Sequence, residues 1–459
     1  MEILYTNCAG MDIHKKIVRV CSLTQTADGQ FHKEFRTYFT TTEELLKLSD
    51  WLKEQGCTHV AFEATGVYWK PVFNLLEGNF ELLVVNAQHI KAVPGRKTDT
   101  KDAEWIADLL QHGLLKASFI PSSSQRELRD LTRYRVKLTQ EKAREVNRVQ
   151  KTLEDTNLKL GDVVSDILGK ASRMILHAIA EGETDPGRLA ALAVGRVHAT
   201  QAQLEAALTG TVTDHHRFLL SEHLIQIHHL EQAIERITAE ITRRLIPPPP
   251  EEGTSSQKQQ EVVPSSSSPQ HQETPPEMVT ASENPQQPAS SPQAALRFSE
   301  AVVLLCSIPG IGERTAIGIL AEIGINMQQF PTAAHLASWA ALCPGNNESA
   351  GKRKSGKTRR GNPWLRCLLV QAAHSASHQK HCYLAEQYRR IAKRRGSKRA
   401  AVAVAHSILV IIYHLLRNHT TYQEKGDTFF EEQERQGTEK RLVRQLTRLG
   451  YHVELQPVA

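Results

Sequence analysis

Residues 247–293 open with four consecutive prolines and continue in Pro, Ser, Gln and Glu, almost without large apolar side chains. Such a segment cannot bury enough apolar surface to offset the entropy of ordering it, so it reads as a disordered linker. With 459 residues the chain is long enough for two or three domains. The linker separates parts that must each carry a core of their own. The boundaries expected are 1–122 for a first domain, 123–246 for a helical region, 247–297 for the linker, 298–420 for a second compact domain and 421–459 for a charged tail.

The first part alternates strand and helix signals. Residues 16–24 (KIVRVCSLT) and 31–39 (FHKEFRTYF) are rich in β-branched and aromatic side chains, and short apolar runs follow at 59–62 and 82–85. Helical periodicity covers 42–55 and 101–114. Strands followed by alternating helices imply an α/β or α+β layered fold. From Ser124 onward the sequence becomes long, polar and helix-forming. Basic residues, among them Arg133, Arg144 and Arg148, surround an apolar stripe of Leu128, Leu131, Leu138, Val146, Val149 and Leu153. Farther on, Leu220, Ile227, Ile234 and Ile241 recur every seven residues, with Leu230 and Ile237 in the second heptad position. This short seam suits a coiled coil between chains and a helical hairpin within one equally well.

Hydrophobic residues at 40% and charged residues at 23% are ordinary for a soluble globular protein. The net charge of +6 is modest, so its placement matters more than its size. Clustered Lys and Arg suit a polyanionic partner. The seven cysteines contain no CxxC pair, which argues against zinc or a disulfide framework. The N-terminus lacks the basic start and apolar run of a signal peptide. The most apolar stretch, residues 400–416, carries His406 and His414 and is shorter than a usual membrane span. A cytoplasmic protein with reduced thiols and no membrane partner is expected.

Four carboxylates stand at element ends. Asp12 closes the first strand candidate, Glu63 closes another, and Asp99 and Asp102 sit where a loop becomes a helix in GRKTDTKDAEWIADLL. Residues three apart share a helix face, so the last two can point into one volume. Four acids so placed suit two hard divalent cations, which would serve phosphoryl transfer. Capping offers a plainer explanation for Asp99 and Asp102, and turn chemistry one for Asp12 and Glu63. Capping acids are commoner than metal ligands, so spacing alone favours the plainer one.

The second compact part begins near Phe298. IPGIGERTAIGILAEIG reads as a helix-hairpin-helix, in which Gly310 and Gly312 permit a tight turn and the next helix offers N–H groups to a phosphate. An ordinary helical hairpin, with glycines for close packing, fits as well. The following segment places Ser349 and Ser355 among Lys352, Arg353, Lys354, Lys357, Arg359 and Arg360. A serine nucleophile acting on DNA needs such cations to steady its transition state, although a basic loop that merely contacts phosphates has the same composition. A dense basic run from Arg389 to Arg399 suits a nucleic-acid backbone. His89, His112, His374 and His406 show no metal-ligand spacing and read as structural.

The blocks GMDIHKKIV, FEATGVYW and KTDTKDAEWIADLL resemble, in order and context, the three motif blocks of the DEDD transposases of the insertion-sequence one-ten family, which also includes Piv-type DNA invertases. CPGNNESAGKRKSGKTRRGNPWLR is similar to that family's C-terminal transposase block. The resemblance implies a RuvC-like, ribonuclease-H-type α/β N-terminal domain whose four acids map onto Asp12, Glu63, Asp99 and Asp102, with Mg²⁺ as cofactor. It also implies a mainly α C-terminal domain whose serine nucleophile joins the carboxylates. The Pro-x-x-x-Glu-Ser context selects Ser349, with Ser355 second. A transposase or recombinase that cuts and rejoins DNA follows, with a structured noncoding guide RNA as further partner and a homo-oligomer, dimer or tetramer, as the working form. Two rival functions keep the fold: a Holliday-junction-resolvase-like nuclease using water, and a non-catalytic nucleic-acid-binding protein. The Pro/Ser/Gln-rich insert departs from the family pattern but leaves every catalytic block intact.

Overall fold

A computed structural model describes residues 3–26, 28–64, 66–86, 102–193, 197–245, 296–345, 347–349, 352–355, 358–359 and 361–453. The linker segment 247–293, Asp99, His89 and Lys357 lie outside these residues. The chain divides into two compact units, Met1–Ser122 and Ser123–Ala459.

The first unit is built on a mixed five-stranded sheet in the order β3-β2-β1-β4-β5. Strands β1 (Cys8–Ile13), β2 (Ile17–Gln25) and β3 (Phe31–Phe39) form an antiparallel meander. On the other side of β1, β4 (His59–Glu63) and β5 (Glu81–Val85) run parallel to it. Parallel neighbours require crossover connections, and helices α1 (Thr42–Glu54) and α2 (Trp69–Leu76) supply them. Helix α1 buries Leu45, Leu48, Trp51 and Leu52, a spacing that puts one apolar stripe against the sheet. The ranges expected for β2 to β5, α1 and α3 match these elements closely, whereas β1 begins only at Cys8 of the run ILYTNCAGMD and extends one residue past Asp12, and α2 was unforeseen.

Alternation along the strands sends side chains to two faces. Ala9, Met11 and Ile13 join Val60, Phe62, Val84 and the apolar sides of α1 and α2 in one core layer. Cys8, Cys21, Leu23, Ala61 and Val85 form the opposite layer, covered by Ile106, Ala107, Leu109 and Leu110 of helix α3 (Asp102–Gln111). Because β1 and β4 are covered on both faces, they read as nearly continuous apolar runs.

In the second unit, helix α4 (Ser123–Asp155) pairs antiparallel with α9 (Asp214–Leu245). Ion pairs Lys142–Glu231 and His223–Glu145 hold the register, together with Arg244–Glu127 near one end. The heptad residues Leu220, Ile227, Leu230 and Ile241 are buried within the chain. At one end of the pair, Leu220, Leu224 and Ile227 pack with Val149 and Leu153 on α4 and with the short helices α5 (Leu160–Val163), α6 (Lys170–Glu181), α7 (Pro186–Ala191) and α8 (Gln201–Ala207). At the other end, Leu128 and Ile241 meet Ile317 and Ala321. The seam that sequence left undecided is therefore covered within one chain, as a hairpin would cover it.

Ile317 and Ala321 belong to α11 (Glu313–Ile323), one of the helices of the C-terminal core. The others are α10 (Phe298–Cys306), α12 (Ala333–Trp339), α13 (Pro363–Ser377), α14 (Tyr383–Arg395) and α15 (Ser397–Asn418). Helix α15 has 22 residues and enough apolar character to cross a membrane by length and composition. Val404, Ile408, Leu409, Ile412 and Tyr413 are instead buried, and the helix packs against α10, α12, α13 and α14, so the apolar run serves the core. Helix α16 (Phe429–Arg448) buries no residue of its own and touches α14 through Phe429 and Phe430 on Tyr383.

Candidate active site

Asp12 and Glu63 each stand one position beyond the last parallel pair, Met11 with Phe62, on neighbouring strands. Two-residue periodicity puts both on the face of Cys8, Gly10 and Ala61, the face that α3 covers. Asp102 is the first residue of α3. What lets the helix lie so close is Gly10: a Cβ there would stand 2.3 Å from both Ala103 O and Ala107 N. A glycine in the middle of a strand is costly unless another backbone approaches closely, and here one does. The three half-buried carboxylates are thus carried by rigid elements to the same side of the sheet. His14 Nε2 lies 2.9 Å from Asp12 Oδ2, and the Asp12 side chain is 20% exposed. Arg19, on β2, is the register partner of Asp12.

All the donors are carboxylate oxygens, the chemistry that hard divalent cations accept. Among the described residues no three His, Cys, Asp or Glu side chains group closely enough to form a metal site. The fourth expected acid, Asp99, lies outside the described residues. Burial pushes the two thiols on this face, Cys8 and Cys21, up to about 12.

Ser349 lies in a β-hairpin. Strands β6 (Asn347–Ser349) and β7 (Lys352–Ser355) pair antiparallel, with Ser349 opposite Lys352, Glu348 opposite Arg353 and Asn347 opposite Ser355. Ser349 therefore sits beside the turn, and Ser355 sits on the other strand toward the base. Pro344 bridges to Thr358 below the hairpin, and Thr358 Oγ1 accepts a hydrogen bond from Arg366 Nη1 at 2.8 Å. Asn362 ends the segment by capping α13, its Oδ1 accepting from Trp364 N at 3.0 Å and Leu365 N at 3.2 Å. Composition alone reads this segment as a loop.

Residues 9–158 match a DEDD family profile described as "Transposase", and residues 302–389 match the profile described as "Transposase IS116/IS110/IS902 family". Together the matches cover about half of the chain; the first spans most of the first unit and runs into helix α4 of the second, and the other lies within the second unit. The chain belongs to the IS110 family. Among its relatives, the transposase for insertion sequence element IS1111A of Coxiella burnetii is 31% identical over 139 residues, 28% of this chain and 37% of the relative. The insertion element IS110 uncharacterized 43.6 kDa protein of Streptomyces coelicolor is 31% identical over 124 residues, 27% of this chain and 30% of that protein. The pilin gene-inverting protein of Moraxella bovis is 28% identical over 125 residues, 27% of this chain and 38% of that protein. The matched part thus spans about a third of the curated relatives' length. Asp12, Glu63, Asp99 and Asp102 fall within the first family match and Ser349 within the second.

The basic residues singled out from sequence have varied surroundings in this IS110-family chain. Arg144 is exposed on α4. Arg148 pairs with the buried Glu145. Arg133 makes a two-pronged ion pair with Glu322, Nε to Oε1 at 2.6 Å and Nη2 to Oε2 at 2.7 Å. Gly310 has φ +87° and faces α13 so closely that a Cβ would stand 2.4 Å from Ala372 O, whereas a Cβ on Gly312 would meet nothing within 4 Å. The backbone of Lys352, Arg353 and Lys354 forms β7.

Sequence reasoning missed Glu322. It is 1% exposed at the end of α11, and besides Arg133 it accepts from Asn362 Nδ2 at 2.6 Å and faces Arg129 Nε at 3.4 Å. Arg129 also donates to the carbonyls of Ala321 and Glu322. One buried carboxylate thereby ties the long basic helix to the cap residue that ends the serine segment. A lone Glu inside the apolar run of GILAEIG was the available signal.

Proposed function

We propose that this protein is an insertion-sequence transposase or recombinase that cuts and rejoins DNA, with Asp12, Glu63, Asp99 and Asp102 holding Mg²⁺ and Ser349 as nucleophile. The reading is carried by Asp12 and Glu63 at the ends of adjacent parallel strands, under a helix that begins with Asp102 and is seated on Gly10. The strand order, antiparallel on one side of β1 and parallel on the other, fits a ribonuclease-H-type domain. Bound there, divalent metal would supply charge neutralisation at the attacked phosphate and a lowered pKa for the attacking oxygen.

The chain's own groups do the rest. Ser349 Oγ forms a bond to phosphorus as the bond from phosphorus to a deoxyribose oxygen breaks. The serine proton passes to a base, and the released strand end takes up a proton as its hydroxyl. Lys352, the register partner of Ser349, and Arg353 beside it bring positive charge to the phosphate as negative charge grows on it. Rejoining reverses these bonds with the hydroxyl of another strand. Arg144 and the basic face of α4 bind backbone phosphates without reading sequence. A noncoding guide RNA and a homo-oligomer complete the assembly we propose.

Strand cleavage of the element's end DNA tests the carboxylate half. Asp102→Asn should reduce Mg²⁺-dependent cleavage by at least about a hundredfold while the protein still binds the DNA. Cleavage at the wild-type rate by Asp102→Asn would remove the carboxylates from the reaction.

A further inference from the structure

Helices α4, α11 and α13 surround an open-sided cavity of about 360 Å³ in the second unit. That volume is within the range of sites for small molecules and cofactors. Arg135 lines it and is only 8% exposed. Arg129 and Arg133, on the preceding turns, share Glu322. Among the described residues no carboxylate forms an ion pair with Arg135. Its charged neighbour is Arg314, on the first turn of α11 and on the cavity wall. Burial, and then Arg314, push the Arg135 guanidinium below its ordinary pKa. A buried charge is ordinarily paired. Here the other charged group acting on Arg135 is a second cation that lines the same cavity, so an anion in the cavity would supply the counter-charge. Glu322 also borders the cavity but is already satisfied by two arginines and Asn362.

The remaining walls narrow the choice of anion. Trp364 lines the cavity, with the Arg133 guanidinium 5.8 Å and the Lys137 ammonium 6.0 Å from its ring centroid. Val136 and Leu368 add apolar surface, and Gln140 and Gln371 bring amides at the rim. An inorganic anion or an acidic side chain would satisfy the arginines and leave the aromatic and amide walls unused. A nucleotide uses all three: phosphate on the guanidinium groups, base on the aromatic and apolar surface, base edge on the amides.

We propose that this cavity takes one unstacked nucleotide of single-stranded DNA, its phosphate held by Arg135 and Arg314 and its base laid along Trp364. A paired base cannot enter such a concave site without leaving its stack, so the cavity prefers strands that are already open. The inference rests on the reading that the protein acts on DNA and assigns a place to an unpaired nucleotide of that DNA.

Cys367 is exposed on the cavity wall and serves as a reporter. The full chain, without divalent metal, is mixed with a fluorescein-labelled 12-nucleotide single strand or with the same sequence as a duplex. Affinity is read by anisotropy, and N-ethylmaleimide labelling of Cys367 by peptide mass spectrometry. We expect the single strand to slow Cys367 labelling by about tenfold and the duplex to leave it unchanged. Arg314→Gln, at an exposed position that should leave the fold intact, should weaken single-strand binding about tenfold and duplex binding by less than about twofold. Trp364→Leu should do the same, and Trp364→Phe should restore most of the affinity. Arg135→Gln adds to the case only if it melts like the wild type; Arg314→Gln and Cys367 decide without it. DNA binding with no protection of Cys367, protection by single-stranded RNA but not DNA, or equal losses for strand and duplex in Arg314→Gln would overturn the nucleotide pocket alone. Failure to bind either DNA form would overturn the functional reading as well. Protection that persists in a protein unable to cleave would leave the pocket standing and remove only the catalytic reading.

Discussion

At the level of single residues, the two decisive positions are a missing side chain and a buried charge. Replacing Gly10 by Ala places a methyl group 2.3 Å from backbone atoms of α3. The helix must move, at a cost of about 1–3 kcal/mol, and Asp102 must move with it. Thermal unfolding of Gly10→Ala should register the loss, and cleavage should fall more steeply than stability. Glu322→Ala would leave the Arg129 and Arg133 charges partly buried without a partner, for which about 3–5 kcal/mol is expected. Denaturant unfolding should show it, with Glu322→Gln intermediate because it keeps the hydrogen-bond acceptor. A change below about 1 kcal/mol in Glu322→Ala would mean that the arginines find water instead. Asp12, Glu63 and Asp102 could be picked out of the sequence because each stands at an element boundary and inside a recognisable block. Glu322 had only its place inside an apolar run to mark it, and its partner Arg133 is 189 residues away in sequence.

Secondary-structure elements were legible where their period was strong. Strands β1 to β5 follow from short apolar and β-branched runs buried in the two core layers, and helices α1 and α3 from amphipathic spacing. The heptad stripe of α9 was equally legible, but its partner was not. A seven-residue repeat specifies a face and leaves open which chain covers it. Long-range ion pairs with α4, such as Lys142–Glu231, decide that in favour of the same chain. Ile227 is fully buried in that seam. Ile227→Ala should therefore lower the unfolding free energy by about 2–4 kcal/mol without altering particle mass in light scattering; a fall in mass would place the seam between chains. The β6–β7 hairpin escaped notice because five of its strand residues are Lys, Arg or Ser, types that read as loop until their register is known.

On the scale of the whole molecule, each compact unit has its own core, and the first family match crosses from one unit into the long helix α4 of the other. The boundary between the units was legible from the change to long, polar, helix-forming sequence at Ser124, whereas the proline- and serine-rich segment 247–293 falls within the range of the second unit. The helices α5 to α8 were not legible: α5, α7 and α8 have four, six and seven residues, too few to show a period, and α6 went unread although its Ala171, Ile175 and Ile179 recur every four residues. The central claim is that the carboxylates of one unit and the serine of the other serve one reaction. The most direct measurement is to incubate the full chain with Mg²⁺, its element's end DNA and the adjacent noncoding transcript, then look for a covalent protein–DNA adduct on a denaturing gel. An adduct is expected that disappears in Ser349→Ala and in Asp102→Asn and maps to the peptide containing Ser349. Cleavage that proceeds without an adduct and survives Ser349→Ala would contradict it and leave water as the nucleophile.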